Sequence, residues 1–112
     1  MAIFITQGNY TQAAMKGMVD NPDDREVAVV ALMESVGAKL LQMYITTGEY
    51  DFLVVSEGDN LTDLVAGLLI AGSAGGVSNL KTVQAMTTQE AKAAMEKANA
   101  ARGAYSTPGS GR

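Results

Sequence analysis

The stretch TTGEYDFLVVSEGD, Thr46 to Asp59, decides the fold. Before it, Lys39 to Thr47 alternates in the period-two pattern of a β-strand, with Leu41, Met43 and Ile45 on one face and Leu40, Gln42, Tyr44 and Thr46 on the other. Gly48-Glu49 predicts a two-residue hairpin loop in which Gly48 takes the first central position of a type II′ turn, and Tyr50 to Ser56 returns as a strand. An antiparallel pair therefore sits at the centre of the chain, and the question is what flanks it.

On the N-terminal side, Ala2 to Gln7 is short, β-branched and aromatic and runs into Gly8-Asn9, which reads as a first strand ending in a turn. Thr11 to Val19 fits a short helix weakened by Gly17. Asn21 as N-cap, Pro22 at the first helical position and Asp23 and Asp24 in the first turn predict a second helix, running to about Val36 and stopped by Gly37. On the C-terminal side, Asn60 caps a helix whose apolar face carries Leu61, Leu64, Val65 and Leu68, and the run Gly72 to Gly76 closes it. Val77 to Met86 reads as a fourth strand, and Thr87-Thr88-Gln89-Glu90 is a capping box that opens an Ala-rich last helix to about Arg102. The expected organisation is one domain over residues 1–103 and a flexible Gly/Ser/Pro-rich tail over residues 104–112.

The core order of strand, helix, strand, strand, helix, strand is the split βαβ arrangement. This is an α+β, ferredoxin-like fold in which a four-stranded antiparallel sheet carries its helices on one face. The other face is left open. Phe4, Thr6, Gln42, Tyr44 and Phe52 are assigned to it, and a face this apolar marks an interface or a pocket. A homo-oligomer would cover it, and the same five residues are the candidate ligand-binding set for a small organic molecule.

Composition narrows the chemistry. With 12 acidic and 8 scattered basic residues the net charge of −4 offers nothing to a phosphate backbone, so no nucleic-acid partner is expected. The absence of Cys and His removes thiol nucleophiles, the commonest metal ligand and the commonest general base. Neither a metal nor a cofactor is expected. No apolar run approaches the roughly 20 residues of a membrane span, and no signal peptide opens the chain, so a cytoplasmic protein without a membrane partner is expected. Glu49 and Asp51 lie at the opposite end of the third strand from Glu57, Asp59 and Asp63, too far apart to share a cation. The Gly72–Gly76 run follows a helix rather than preceding one, so it reads as a turn and not as a phosphate cradle. Lys39 and Lys81 within strands sit either at a sheet edge, where charge discourages strand-to-strand pairing, or aimed into a pocket, and an edge position is expected for at least one of them. The seven methionines read as adaptable core filling.

The turn itself has two readings. In one, Gly48 supplies the backbone conformation, Tyr50 packs at the strand start and Asp51 bonds local backbone N–H groups. In the other, Asp51 is a general base, with Tyr50 or Tyr44 donating to a developing oxyanion in a cofactor-independent enzyme. A third reading of the whole chain is a purely structural assembly module whose open face is filled by a partner subunit.

The segments NPDDREVAVVALMESVGAKLLQMYITTGEYDFLVVSEGDN and SAGGVSNLKTVQAMTTQEA resemble the GYD-domain family, named for a Gly-x-Tyr-Asp turn that is Gly48, Tyr50 and Asp51 here. The likeness spans roughly Ile3 to Met95. It rests on several separated features in order: Arg25 at a helix start, Gly37-Ala38-Lys39-Leu40, the turn, and Ala85-Met86-Thr87 before the last helix. The resemblance implies membership of the dimeric α/β-barrel group, whose protomers are ferredoxin-like. That group includes haem-degrading and cofactor-free monooxygenases as well as ligand-sensing modules of transcription regulators, and the GYD family itself brings no settled activity.

Overall fold

The computed structural model describes residues 1–109; Ser110 to Arg112, the end of the expected tail, lie outside the described residues. The chain runs β1 (Ala2–Tyr10), α1 (Gln12–Asp20), α2 (Arg25–Ser35), β2 (Lys39–Ile45), β3 (Phe52–Gly58), α3 (Leu61–Ser73), β4 (Val77–Ala85) and α4 (Thr88–Ala101), followed by a 3-10 turn at Arg102–Ala104. All strand pairings are antiparallel and the sheet order is β2-β3-β1-β4, the ferredoxin-like topology expected. Lys39 on β2 and Lys81 on β4 thus both sit on edge strands.

Local chemistry sets the helix boundaries. Thr11 caps α1 by accepting from the Ala14 N–H, and Asn60 caps α3 by accepting from the Asp63 N–H. The expected Asn21-Pro22 start of α2 moves three residues on. The Asn21 N–H is still engaged by the Gly17 carbonyl at the end of α1, and Asp24 is the cap, its side chain accepting from the Glu26 N–H. At the other end of α2, Gly37 adopts φ +82°. Its N–H reaches the Glu34 carbonyl while the Ala38 N–H reaches that of Met33, a Schellman stop. Thr87 and Glu90 form the reciprocal capping box of α4.

The two sheet faces are sorted by register. β1 does not stop at Gly8-Asn9; it continues to Tyr10 through an irregularity between Gln7 and Asn9. Phe4 lies beside Ser56, Thr6 beside Val54 and Gly8 beside Phe52, and all six face the helices. Phe4 (4% exposed), Thr6 (5%) and Phe52 (6%) are therefore core residues, which corrects their assignment to the open face. The Thr6 hydroxyl is bonded to that of Thr82 at 2.9 Å, which satisfies it in an apolar setting. In β2 a bulge between Leu40 and Gln42 switches the parity of the strand, so Leu40 and Met43 both pack on the core beside Met33, Phe52 and Val54. The simple alternation of Lys39–Thr47 does not hold across that bulge.

The open face carries two rows of cross-strand neighbours, Gln42–Val55–Ile5–Val83 and Lys39–Glu57–Ile3–Ala85, with Tyr44–Leu53–Gln7–Lys81 at one end. Gln42 and Tyr44 do lie here as assigned, their side chains 3.2 Å apart, and Tyr44 is 55% exposed. The centre of this face is apolar and its margins are polar or charged.

One core group has no partner. The Ser56 hydroxyl is fully buried and, among the described residues, accepts and donates no hydrogen bond. Ser56→Ala is therefore expected to leave stability unchanged or to raise it by up to about 1 kcal/mol, because an unsatisfied buried hydroxyl costs desolvation without return. Urea denaturation checks this, and a clear loss of stability would contradict it.

Candidate functional site

Between the sheet and α1, α2 and α3 lies a cavity of about 520 Å³. Its walls are mainly apolar, with Phe52, Val54 and Leu80 from the sheet, Val29 and Leu32 from α2 and Leu68 from α3. The cavity exists because the inward side of the sheet alternates large and small groups and because small residues, Ala14, Gly17, Gly67 and Ala71, line the helix surfaces that face it. Polar groups enter the lining at Tyr10, Asn21, Asp23 and Arg25. A smaller adjoining depression shares Tyr10, Asp23 and Arg25 and adds Asp24, Glu26 and Asp51.

Tyr10 is the hinge between the apolar interior and this polar rim. Its ring lies 5.1 Å from that of Phe52 at a 45° tilt. Burial pushes its hydroxyl above the ordinary tyrosine range, and the neighbouring Arg25 pulls in the opposite direction without cancelling the effect. Tyr10 is thus a neutral hydrogen-bonding group at physiological pH. Arg25 is held by Asp23 at 3.0 Å in a half-exposed pair.

The Gly-x-Tyr-Asp turn meets the same region from outside. The expected two-residue type II′ hairpin is replaced by a wider loop: strand pairing ends at Ile45–Phe52, and the Thr46 N–H donates to the Asp51 carbonyl at 2.9 Å. The physical reason is that the loop spends its polar groups on β1 rather than across the hairpin. The Asp51 N–H donates to the Gly8 carbonyl at 2.8 Å, the Asn9 side-chain amide donates to the Glu49 carbonyl at 3.0 Å, and the Asp51 carboxylate accepts from the Tyr10 N–H at 2.9 Å. Asn79, with φ +53°, adds a bond from β4 to the Asn9 side chain. Gly48, at φ +98°, supplies the conformation that the tip requires.

Asp51 therefore bonds backbone N–H as the first reading of the turn has it, although the partner is 41 residues away rather than local. Tyr44 points to the open face, whereas Asp51 borders the depression on the helix side, so the structure does not bring these two together. Tyr50 is half-buried, its carbonyl accepting from the Thr46 hydroxyl at 2.7 Å. Of the five ligand-binding candidates, Thr6 and Phe52 line the cavity, while Phe4, Gln42 and Tyr44 do not. Tyr10 was missed by sequence reasoning, and Asp23 and Arg25 were noticed only as parts of a helix start. The available signal was Tyr10 two positions beyond Gly8, on a strand that the glycine does not terminate. Among the described residues no cluster of carboxylates is placed to hold a metal ion, and no helix is long and apolar enough to cross a membrane.

The role of Asp51 gives a graded expectation. Asp51→Ala removes the acceptor of the Tyr10 N–H and should cost about 1–2 kcal/mol, whereas Asp51→Asn keeps an oxygen in place and should cost less than half as much. Urea midpoints of the two variants check this; equal losses would mean that the charge, not the hydrogen bond, is what the loop needs.

Three solved structures share features with this one. FFRP-DM1 is 19% identical, with a TM-score of 0.51 over 77% of this chain and 100% of its own. TTHA0845 from Thermus thermophilus is 16% identical, with a TM-score of 0.49 over 78% and 95%. The hypothetical protein PHS023 from Pyrococcus horikoshii is 17% identical, with a TM-score of 0.46 over 78% and 92%. The first of these supports the fold, and at such identity it supports nothing beyond the fold. No curated protein matches the chain. The model of the GYD domain matches residues 4–95, which contain the whole sheet except the first residues of β1, the first three helices and the signature turn, and the chain belongs to the GYD-domain family.

Proposed function

We propose that the protein is a small homo-oligomeric binding module whose ligand, an apolar organic molecule with one polar end, occupies the cavity between the sheet and helices α1 to α3. The observation that carries this reading is the cavity itself. At about 520 Å³, with apolar walls and Tyr10 and Arg25 converging on one side, it has the size and lining of a small-molecule site. The rim favours an uncharged polar end, because Asp23 already neutralises Arg25 and Tyr10 is kept in its hydroxyl form. Self-association is supported by the open face, where Ile3, Ile5 and Val55, all part-exposed, and exposed Val83 adjoin with no helix of the described residues packed over them. Asp51 supports binding rather than turnover, since its carboxylate holds the loop to β1.

A thermal-shift screen with uncharged and anionic aromatic and aliphatic compounds tests the reading. A ligand that binds only the native state raises its melting temperature. We expect uncharged amphiphiles to do so, and Ala71→Leu, which fills the cavity from α3, to abolish the shift while the variant stays folded. No shift with any compound, or an undiminished shift in Ala71→Leu, would exclude this site.

A further inference from the structure

We propose that α4 is an exchange arm that packs, in a second copy of this chain, against the outer face of α3. Within its own chain α4 is a helix with almost no packing. Every residue of α4 except Ala91 is exposed, and Met95 is 67% exposed. Yet its apolar residues are not scattered: Ala91, Ala94, Met95, Ala98 and Ala101 recur at three- and four-residue intervals and form one stripe. An isolated helix of this length is marginal in water, and a capping box alone does not change that. The helix therefore needs a surface to lie on.

Among the described residues, nothing of its own chain covers the surface that would suit it. The core-facing row of α3 contains Leu64, Gly67 and Leu68, but a second row, Leu61, Val65 and Leu69, continues the apolar stripe outward at four-residue intervals. These three are 63%, 40% and 67% exposed. The two rows are close in length, roughly 12 Å from Leu61 to Leu69 and roughly 15 Å from Ala91 to Ala101 at 1.5 Å per residue. They match in relief as well, because the large side chains of α3 fit between the alanines of α4, so the helix axes can approach closely. Charge agrees with an antiparallel crossing: Asp59 and Asp63 stand at the start of α3, and Lys97 and Arg102 lie in and just beyond the second half of α4. Antiparallel helix dipoles add to this.

The shape of the molecule assigns the occupant to another copy. The chain extends over 64 × 30 × 22 Å, and its radius of gyration of 18.8 Å is well above the roughly 13 Å of a compact domain of about 100 residues. α4 is linked to β4 by Met86 and Thr87 alone, and among the described residues it packs to any extent only on the 3-10 turn that follows it, not on the α3 of its own chain. In a twofold dimer the same contact forms twice, which is how exchanged elements stabilise an assembly cheaply. The contact is separate from the open sheet face and does not depend on a ligand in the cavity.

The absence of cysteine from the sequence makes the test direct. Full-length Val65→Cys and Met95→Cys variants, mixed and oxidised, should give a covalent dimer that neither gives alone in comparable yield. The double variant should give covalent dimers or larger species. A cross-link within one chain would overturn the proposal, as would no cross-link at all, even if the protein remained a dimer through its sheets. In a second measurement, Met95→Glu in the full chain should weaken self-association at least about 10-fold by light scattering, as removal of a central anchor does. Because Met95 is exposed within its own chain, the variant should remain folded, and unchanged association would refute the exchange.

Discussion

Gly8→Val should destabilise the domain by about 3 kcal/mol or more, a large fraction of the 5–15 kcal/mol that holds a typical domain together. The reason is crowding and not backbone strain. A Cβ built on Gly8 would stand 2.7 Å from the Phe52 ring, 2.8 Å from a Leu80 methyl and 3.2 Å from the Ser78 carbonyl. The Leu80 methyl ends a flexible side chain and can yield. The Phe52 ring tip cannot move without disturbing its packing on Met33, Val54 and Tyr10, and the Ser78 carbonyl is backbone. Gly8→Ala should be intermediate, about 1–3 kcal/mol, offset by the few tenths gained from restricting the unfolded chain. Valine adds two further carbons in the same confined space. The Gly8 carbonyl also receives the Asp51 N–H, so a shift of β1 at this point loosens the signature loop. Urea denaturation of the two variants should show the order Gly8 > Ala > Val. Equal stability of all three would mean that the ring and methyl relax freely.

The same crowding explains what the sequence could and could not reveal. Helix starts at Asn60 and Thr87 were legible because each places a capping oxygen within reach of a free N–H three residues on, whereas Thr11, read as the first helical residue, is the cap of α1. Gly37 was legible because a left-handed helix stop favours glycine. The start of α2 was not, because Asn21, Asp23 and Asp24 are all competent caps and the choice depends on Asn21 being used by α1. The facing of β1 was equally hidden. Ile3 and Ile5 are as apolar as Phe4, and only the approach of Phe52 to Gly8 shows which row meets the helices. In β2 one extra residue at the bulge reverses the parity, a change that leaves no mark in a strand apolar on both faces. Two errors reached the candidate site: ending β1 early removed Tyr10 from view, and grouping Phe52 of β3 with Tyr44 moved it to the outside, although the register pairs Tyr44 with Leu53 and sets Phe52 beside Gly8 on the helix side. The cavity itself is a property of three helices meeting one sheet, and no local pattern encodes it.

Phe52→Ala should cost about 3–5 kcal/mol, the range for removing a buried aromatic side chain. Phe52 is 6% exposed, belongs to the core with Met33 and Val54, and stacks at a tilt on Tyr10. Aromatic pairing of this kind is worth about 0.5–1.5 kcal/mol beyond the area buried, so part of the loss should also appear in Tyr10→Leu, and the double variant should lose less than the sum of the two. For a domain of about 100 residues each kcal/mol lowers the melting temperature by about 4–8 °C, which places Phe52→Ala at least about 12 °C below the parent. Phe52→Leu, which keeps much of the volume, should fall by less than half as much. The contrast separates two roles of one side chain. If Phe52 were only a wall of a solvent-filled cavity, its truncation would enlarge a space already open and cost little. A loss in the upper part of the range instead means that the ring is a structural member between β1, β3 and the helices. A ligand of the cavity would then rest on a wall that the core itself keeps rigid, and Phe52→Leu, still folded, becomes the variant in which altered ligand selectivity can be read without confusion with unfolding.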